Sequence, residues 1–355
     1  MTDALTPESL PWAPIYTVTR SGLPELTIYG VVYVWAEDRK LFANAGHSLL
    51  RIGNTRTPIW TRSLLKPWQL MVLYPTLKQA YPALTGEHFA MMLASHMGDA
   101  RQVKLLGEIL AISGMFEDSL QCPSCGPMSS PVEMVERVIH HPCSGKHLAH
   151  LLYLKSKNLP TETYLHPEAE PYQLLKVLLG YLLNREDFEA TTDGCGMPNF
   201  ALSAVEIAQL CQALAMPASK DILRQAPDEL TDILSHWDDI SALLVNHPEL
   251  VGGERRLDTR LMQGHWHQNV DFRVIAKEGA DGLLCVGIGP NPVFADGLGI
   301  YIKLSSGYEP KYLDAIVFEL LSQLGLLTAE VGKKKAPGHL QTHFHFRLEP
   351  AAART

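Results

Sequence analysis

Ser63 and Lys66, in the run TRSLLKP, stand three residues apart. On a helix that spacing puts a hydroxyl and an amine on one face, one turn apart. A neutral lysine there can take the serine proton and leave an alkoxide-like nucleophile. Neutrality is the obstacle. From a reference pKa of about 10.4, deprotonation at pH 7 costs roughly 4.6 kcal/mol, which burial and nearby cations must supply. Pro67 fits only where a helix is beginning, because proline is tolerated in a first turn. A lone Ser-x-x-Lys is a weak signal and is equally a piece of ordinary helix.

The run HHPCSGKH, residues 140 to 147, holds a cysteine, a lysine and three histidines. A phosphate loop is excluded, since the positions that need Gly and Ser or Thr hold His140 and His147. The plain reading has Ser144 capping a helix through GKHLAHLLYLK, with Cys143 just outside it. A helix N-terminus favours thiolate, so Cys143 is a better nucleophile or ligand than an average cysteine. TTDGCGMP, 191 to 198, carries Cys195 in a glycine-flanked turn that begins at Asp193. Two loop thiols, Cys143 and Cys195, could share a metal, with zinc the first candidate, but ligands this far apart form no recognised spacing pattern. CPSC at 122–125 is the rival: half a zinc knuckle, a redox pair or only a loop, with no second Cys-x-x-Cys to complete a site. Ser95 and His96 in ASHMGD, and Lys277 in AKEGADG, are unremarkable taken singly. No Gly-x-Ser-x-Gly, His-Glu-x-x-His or dinucleotide fingerprint occurs.

The elements that must position these residues can be read from periodicity. ELTIYGVVYVWAEDRKLFANAG reads as two strands around the turn AEDRK. From Leu64 the pattern turns helical, through LLKPWQLMVLYPTL, EHFAMMLASHM, VKLLGEILAISG, KHLAHLLYLKSK, PYQLLKVLLGYLL and ALSAVEIAQLCQAL. Strands return in GLLCVGIG and LGIYIKLSSG, followed by an amphipathic helix in YLDAIVFELLSQLG; THFHFRL alternates as a last strand. NHPELVGGERR reads as a loop leading into a helix. The expected class is therefore α+β: one sheet built from both chain ends, with a helical region inserted between them.

Composition narrows the partners. Net charge is −8 and the pI about 6.0, which argues against nucleic acid or an anionic membrane as the main partner. The basic run GKKKAPGH at 332–339 reads as a solvated loop. No apolar stretch of about twenty residues suggests a membrane span, and the acidic, proline-containing start does not read as a signal peptide. Six cysteines without such a signal suggest reduced thiols in a cytoplasm.

Taken together, RSLLKP, ASHMGD, CG at 125–126, CSGKH, TDGCGMP, HPELVGGERR and KEGADG resemble, in order, the blocks of one family: the Rhizobium etli type of L-asparaginase, or asparaginase II family. The resemblance runs from about residue 15 to about 325, leaving 326–355 as a tail of a single domain. It implies a fold similar to serine β-lactamases and penicillin-binding proteins, with N- and C-terminal strands sharing an antiparallel sheet around helices. It also implies nucleophile-type residues at Ser63 and Lys66, a second serine–lysine pair at Ser95 and Lys277, and zinc held by Cys143, Lys146 and Cys195. Substrate would be held by Arg62, His147 and Asp193, and the family suggests a homodimer. The remaining histidines of HHPCSGKH are given no role. The implied reaction is hydrolysis of L-asparagine through an acyl-enzyme. Two alternatives stand beside it: zinc-bound water as the nucleophile on a related amide, and a non-catalytic zinc-binding protein of the same fold.

Overall fold

The two chain ends meet in one sheet. In the computed structural model, which describes residues 10–36, 47–129, 135–218, 220–267, 272–327 and 340–342, three N-terminal strands are β1 (Ala13–Arg20), β2 (Leu23–Ala36) and β3 (His47–Ile52). The chain then passes through a two-residue strand, β4 (Ile59–Trp60), into helices. A hairpin, β5 (Ala190–Thr192) and β6 (Pro198–Leu202), interrupts the helical region. The C-terminal part returns to the sheet as β7 (Val274–Gly279), β8 (Leu283–Ile288), β9 (Leu298–Leu304) and β10 (Leu340–Thr342). The main sheet runs β10-β1-β2-β9-β8-β7, with β3 beside the second half of β2, and its pairings are antiparallel. The expected α+β plan is the one observed, with the contact between β2 and β9 joining the two ends.

β7 and β8 are buried at every position, so alternation of polar and apolar residues is absent from both. Helix Ala204–Ala215 covers one side of the sheet. Gly287 and Gly299 are cross-strand partners, and a Cβ at either would stand about 2 Å from a carbonyl of that helix, Cys211 or Ala208. The glycine pair lets the helix backbone lie directly on the strands. Ser203 caps this helix reciprocally with Glu206.

Several expectations change in detail. ALSAVEIAQLCQAL is not helical throughout: its first two residues end β6, and the helix starts only after the Ser203 cap. The β5–β6 hairpin and β7 were not expected from periodicity; β5 is three exposed residues and β7 contains Lys277 and Glu278, which disguise a buried strand. The turn AEDRK lies largely outside the described residues, as does THFHFRL beyond Thr342 and the basic run at 332–339. Among the described residues no helix is long and apolar enough to cross a membrane. All six cysteines are free thiols.

Candidate active site

Helix Lys66–Ala80 begins at Lys66 with Pro67 in its first turn, as the proline required. Ser63 therefore lies outside it, in the 3-10 turn Arg62–Leu65. Ahead of that turn the chain is pinned to β6. The Thr61 hydroxyl donates to Asn199 Oδ1 and the Phe200 carbonyl, and the Arg62 N–H donates to Asn199 Oδ1. Arg62 takes a left-handed backbone, φ +50°, a strained state for a long side chain.

Lys66 is fully buried. Its Nζ is bonded to the Ala94 carbonyl, to the Pro142 carbonyl at 3.1 Å and to Ser95 Oγ at 3.1 Å. Two carbonyls take two N–H groups, so a neutral amine presents its lone pair to the Ser95 hydroxyl. Burial, reinforced by the positive charges of Lys146 and Lys277 and opposed by the Cys143 and Cys195 sulfurs, lowers its pKa to about 8. The expected pairing is thereby rearranged. Lys66 engages Ser95, while the Ser63 hydroxyl has no hydrogen-bond partner among the described residues and faces the cleft.

Lys277 is likewise not bonded to Ser95. It sits in β7, buried, with Nζ on Asp258 Oδ2 at 3.3 Å and on the Glu278 carbonyl at 3.1 Å. The Asp258 and Glu278 carboxylates in turn cross-link β7 to the start of helix Leu257–Met262. Burial would raise the Asp258 pKa, but Lys277 and Arg256 outweigh it and hold the carboxyl below its usual value. Lys277 thus acts on Lys66 through charge, not contact.

Cys143, Lys146 and Cys195 are brought together. Helix Ser144–Ser156 starts one residue after Cys143, which occupies the cap position with no side-chain capping bond. Ser144 is the first helical residue and not the cap: its hydroxyl donates to the Ile139 carbonyl and meets His96 Nε2 at 2.8 Å. His96 Nδ1 accepts the Gly98 N–H, so in the neutral ring Nε2 is the donor to Ser144. Burial first, then the Lys66 charge, lowers the His96 pKa to about 3. Gly145 is required by packing, since a Cβ there would stand 2.0 Å from the Met91 carbonyl. Its absence lets this helix press against Gly86–Leu93, whose continuation carries Ser95.

Cys195 sits in the β5–β6 turn, which is closed by Gly196 N–H to the Asp193 carbonyl at 2.8 Å. The Cys195 thiol, with Lys66 and Lys146 nearby, holds Cys143 well below the usual thiol range despite burial, and Cys143 together with burial raises Cys195. Burial would lower the Lys146 pKa, but the two sulfurs outweigh it and raise it. Among the described residues no three His, Cys, Asp or Glu side chains form a metal cluster. A third donor beside the thiols is the Lys146 amine.

These groups surround a cleft of about 420 Å³, lined by Arg62, Ser63, Ser95, Cys143, Cys195 and Asp193. His147 is brought near but stands behind the wall. Its Nδ1 meets the Tyr164 hydroxyl at 2.7 Å, which itself accepts the Gln121 N–H; Nε2 is buried without a partner among the described residues. Asp193 and Arg62 are paired with each other, and Arg62 also meets Asp281.

The lining residues that were not singled out in the sequence include His141, Arg256, Glu278 and Asp281. His141, one of the histidines left without a role, accepts the Cys143 N–H at 3.1 Å. Asp281 belonged to the KEGADG block and could have been noticed there. CPSC lies close to Cys143, yet burial pushes Cys122 up to about 12 and also raises Cys125, so neither is an activated thiol.

A sheet joined from both chain ends, with a cleft holding hydroxyls over a buried, weakly basic amine, is the framework of an enzyme. The family model described as L-asparaginase II matches residues 16–351, and the chain belongs to that family. It is accordingly an amidohydrolase, and the match extends past residue 325, where the resemblance by motifs stopped. No curated protein matches the chain. Solved structures that align with it include two glutaminases. One is a Bacillus glutaminase in the presence of 4.3 M NaCl: 12% identity over 84% of this chain and 91% of that one, TM-score 0.38. The other is a probable glutaminase from Bacillus subtilis complexed with 6-diazo-5-oxo-L-norleucine: 14% identity, 84% and 85% coverage, TM-score 0.38. Similarity at that level has no bearing on the chemistry of this cleft.

Proposed function

We propose that the protein is an L-asparaginase, hydrolysing L-asparagine to L-aspartate and ammonia with Ser63 as nucleophile. The observation that carries this reading is Lys66, fully buried, lowered to a pKa of about 8 and bonded to Ser95 Oγ at the cleft floor. At pH 7 roughly a tenth of such an amine is neutral, so the cost of deprotonation falls to about 1.4 kcal/mol. Ser63 is the half-buried serine with its hydroxyl unspent, and it attacks the side-chain amide carbon. Ser95 is the link: it takes the Ser63 proton and passes its own to Lys66. The proton is returned to the departing ammonia, and water then hydrolyses the acyl-enzyme. Arg62 grips the substrate carboxylate and Asp193 its ammonium. His147, behind the wall, supports the site without touching substrate.

The thiol pair fits zinc. Two neighbouring sulfurs, one already held toward thiolate, lie beside a buried amine, and Cys143, Cys195 and neutral Lys146 would be the ligands. Bound there, zinc would supply positive charge at the cleft wall and favour the deprotonated forms of its neighbours.

The test is ammonia release from L-asparagine and L-glutamine by the wild type and by Ser63→Ala. The expected loss for the variant is about 10²-fold or more. Near-wild-type turnover would remove Ser63 as the nucleophile.

A further inference from the structure

Arg62 links two hairpins across the mouth of the cleft. Its Nε is on Asp193 Oδ1, in the β5–β6 turn, and its Nη1 is on Asp281 Oδ2, in the β7–β8 turn. Nη2 takes part in neither pair. The two carboxylates are held very differently. Asp193 is 7% exposed; it accepts the Gly194 N–H at 2.8 Å and stands 3.8 Å from Cys195 Sγ. Asp281 is 60% exposed, and its carboxylate has no other partner among the described residues.

The backbones on both sides are fixed. Arg62 N–H is bound to Asn199. The Asp281 carbonyl accepts Lys303 Nζ at 2.6 Å. Only the Asp281 side chain is free to turn away, and doing so bares the Nη1–Nη2 edge of a guanidinium whose inner edge stays anchored. That edge has the fork geometry that takes a carboxylate through two parallel hydrogen bonds.

We propose that Asp281 is a resident stand-in for the substrate's α-carboxylate, occupying the outer edge of Arg62 until an amino-acid substrate displaces it. The inference rests on the asparaginase reading and deepens it: Asp281 is a specificity-determining residue that competes with the substrate's α-carboxylate for Arg62. An amide without a carboxylate does not compete with Asp281 and leaves the Arg62–Asp281 pair closed. Because the pair is exposed, the barrier it sets is small, and the competition is visible in affinity more than in turnover.

The experiment compares wild type, Asp281→Asn and Asp281→Ala. KM is measured for L-asparagine, for 3-aminopropanamide (no carboxylate) and for succinamate (no ammonium), and L-aspartate affinity is measured by calorimetry. Removing the competing carboxylate lowers KM for L-asparagine and succinamate by about two- to fivefold, the worth of an exposed ion pair. L-aspartate binding tightens by the same factor, and 3-aminopropanamide is unaffected. A rise in the KM for L-asparagine that disappears with succinamate overturns the proposal, because Asp281 would then be holding the ammonium. Unchanged L-aspartate affinity in both variants overturns it as well. Failure of the wild type to release ammonia from L-asparagine counts against the asparaginase reading, and the aspartate titrations judge the stand-in separately.

Discussion

Replacing Lys66 by Met tests the buried amine through stability as well as activity. In the unfolded chain this lysine titrates at its ordinary value of 10.5, and in the folded protein at about 8. The folded state therefore binds fewer protons between those values, and its stability rises with pH. Below pH 8 the fold carries a buried ammonium at a penalty of about 3 kcal/mol; above 10.5 the amine is neutral in both states and the penalty is gone. Between pH 7 and 9.5 the wild type recovers about 2 kcal/mol of it. Lys66→Met has no such term. It loses the donors to the Ala94 and Pro142 carbonyls, an offset of about 1–2 kcal/mol that does not change with pH. Urea denaturation of both proteins at pH 7 and 9.5 should show the wild type gaining about 2 kcal/mol on the variant. A gap that stays constant with pH would refute the depressed pKa and the base role with it. The same ionisation sets the rate: kcat/KM of the wild type should climb about tenfold from pH 7 to 9. In Lys66→Met, kcat should fall by about 10²–10⁴.

Cys143→Ser and Cys195→Ser should each copurify with much less zinc than the wild type in elemental analysis, with far-UV circular dichroism unchanged; full metal content in both would remove the thiolates as ligands. Gly145→Ala should lower stability by about 1–3 kcal/mol in thermal melts, because the new methyl group meets the Met91 carbonyl. A melting temperature equal to that of the wild type would show that the two helices can part at no cost.

The α+β plan was legible in the sequence because strands and helices have different periods, and the long apolar runs of β2, β8 and β9 stand at opposite ends of the chain. The start of helix Lys66–Ala80 was legible too, since proline is compatible with few helical positions. Ser144 misled. A serine before a helical run usually caps it, but here the Ile139 carbonyl just upstream and His96, remote in the sequence, claim the hydroxyl. β7 was hidden by Lys277 and Glu278, charges that are buried only because Asp258 and Arg256 meet them.

Residue types and their spacing singled out Ser63, Lys66, Cys143 and Cys195 before any contact was known; Ser95, Lys146 and Lys277 entered only through the resemblance of their blocks to the asparaginase II family. What the tertiary structure alone decided was who partners whom. Lys66 turns from Ser63 to Ser95, Lys277 to Asp258, and Arg62 spans Asp193 and Asp281. The reason is physical. A chemical capability belongs to the side chain and travels with the sequence, but a hydrogen bond of 3 Å or a lowered pKa depends on burial and on neighbours contributed by segments dozens to hundreds of residues away.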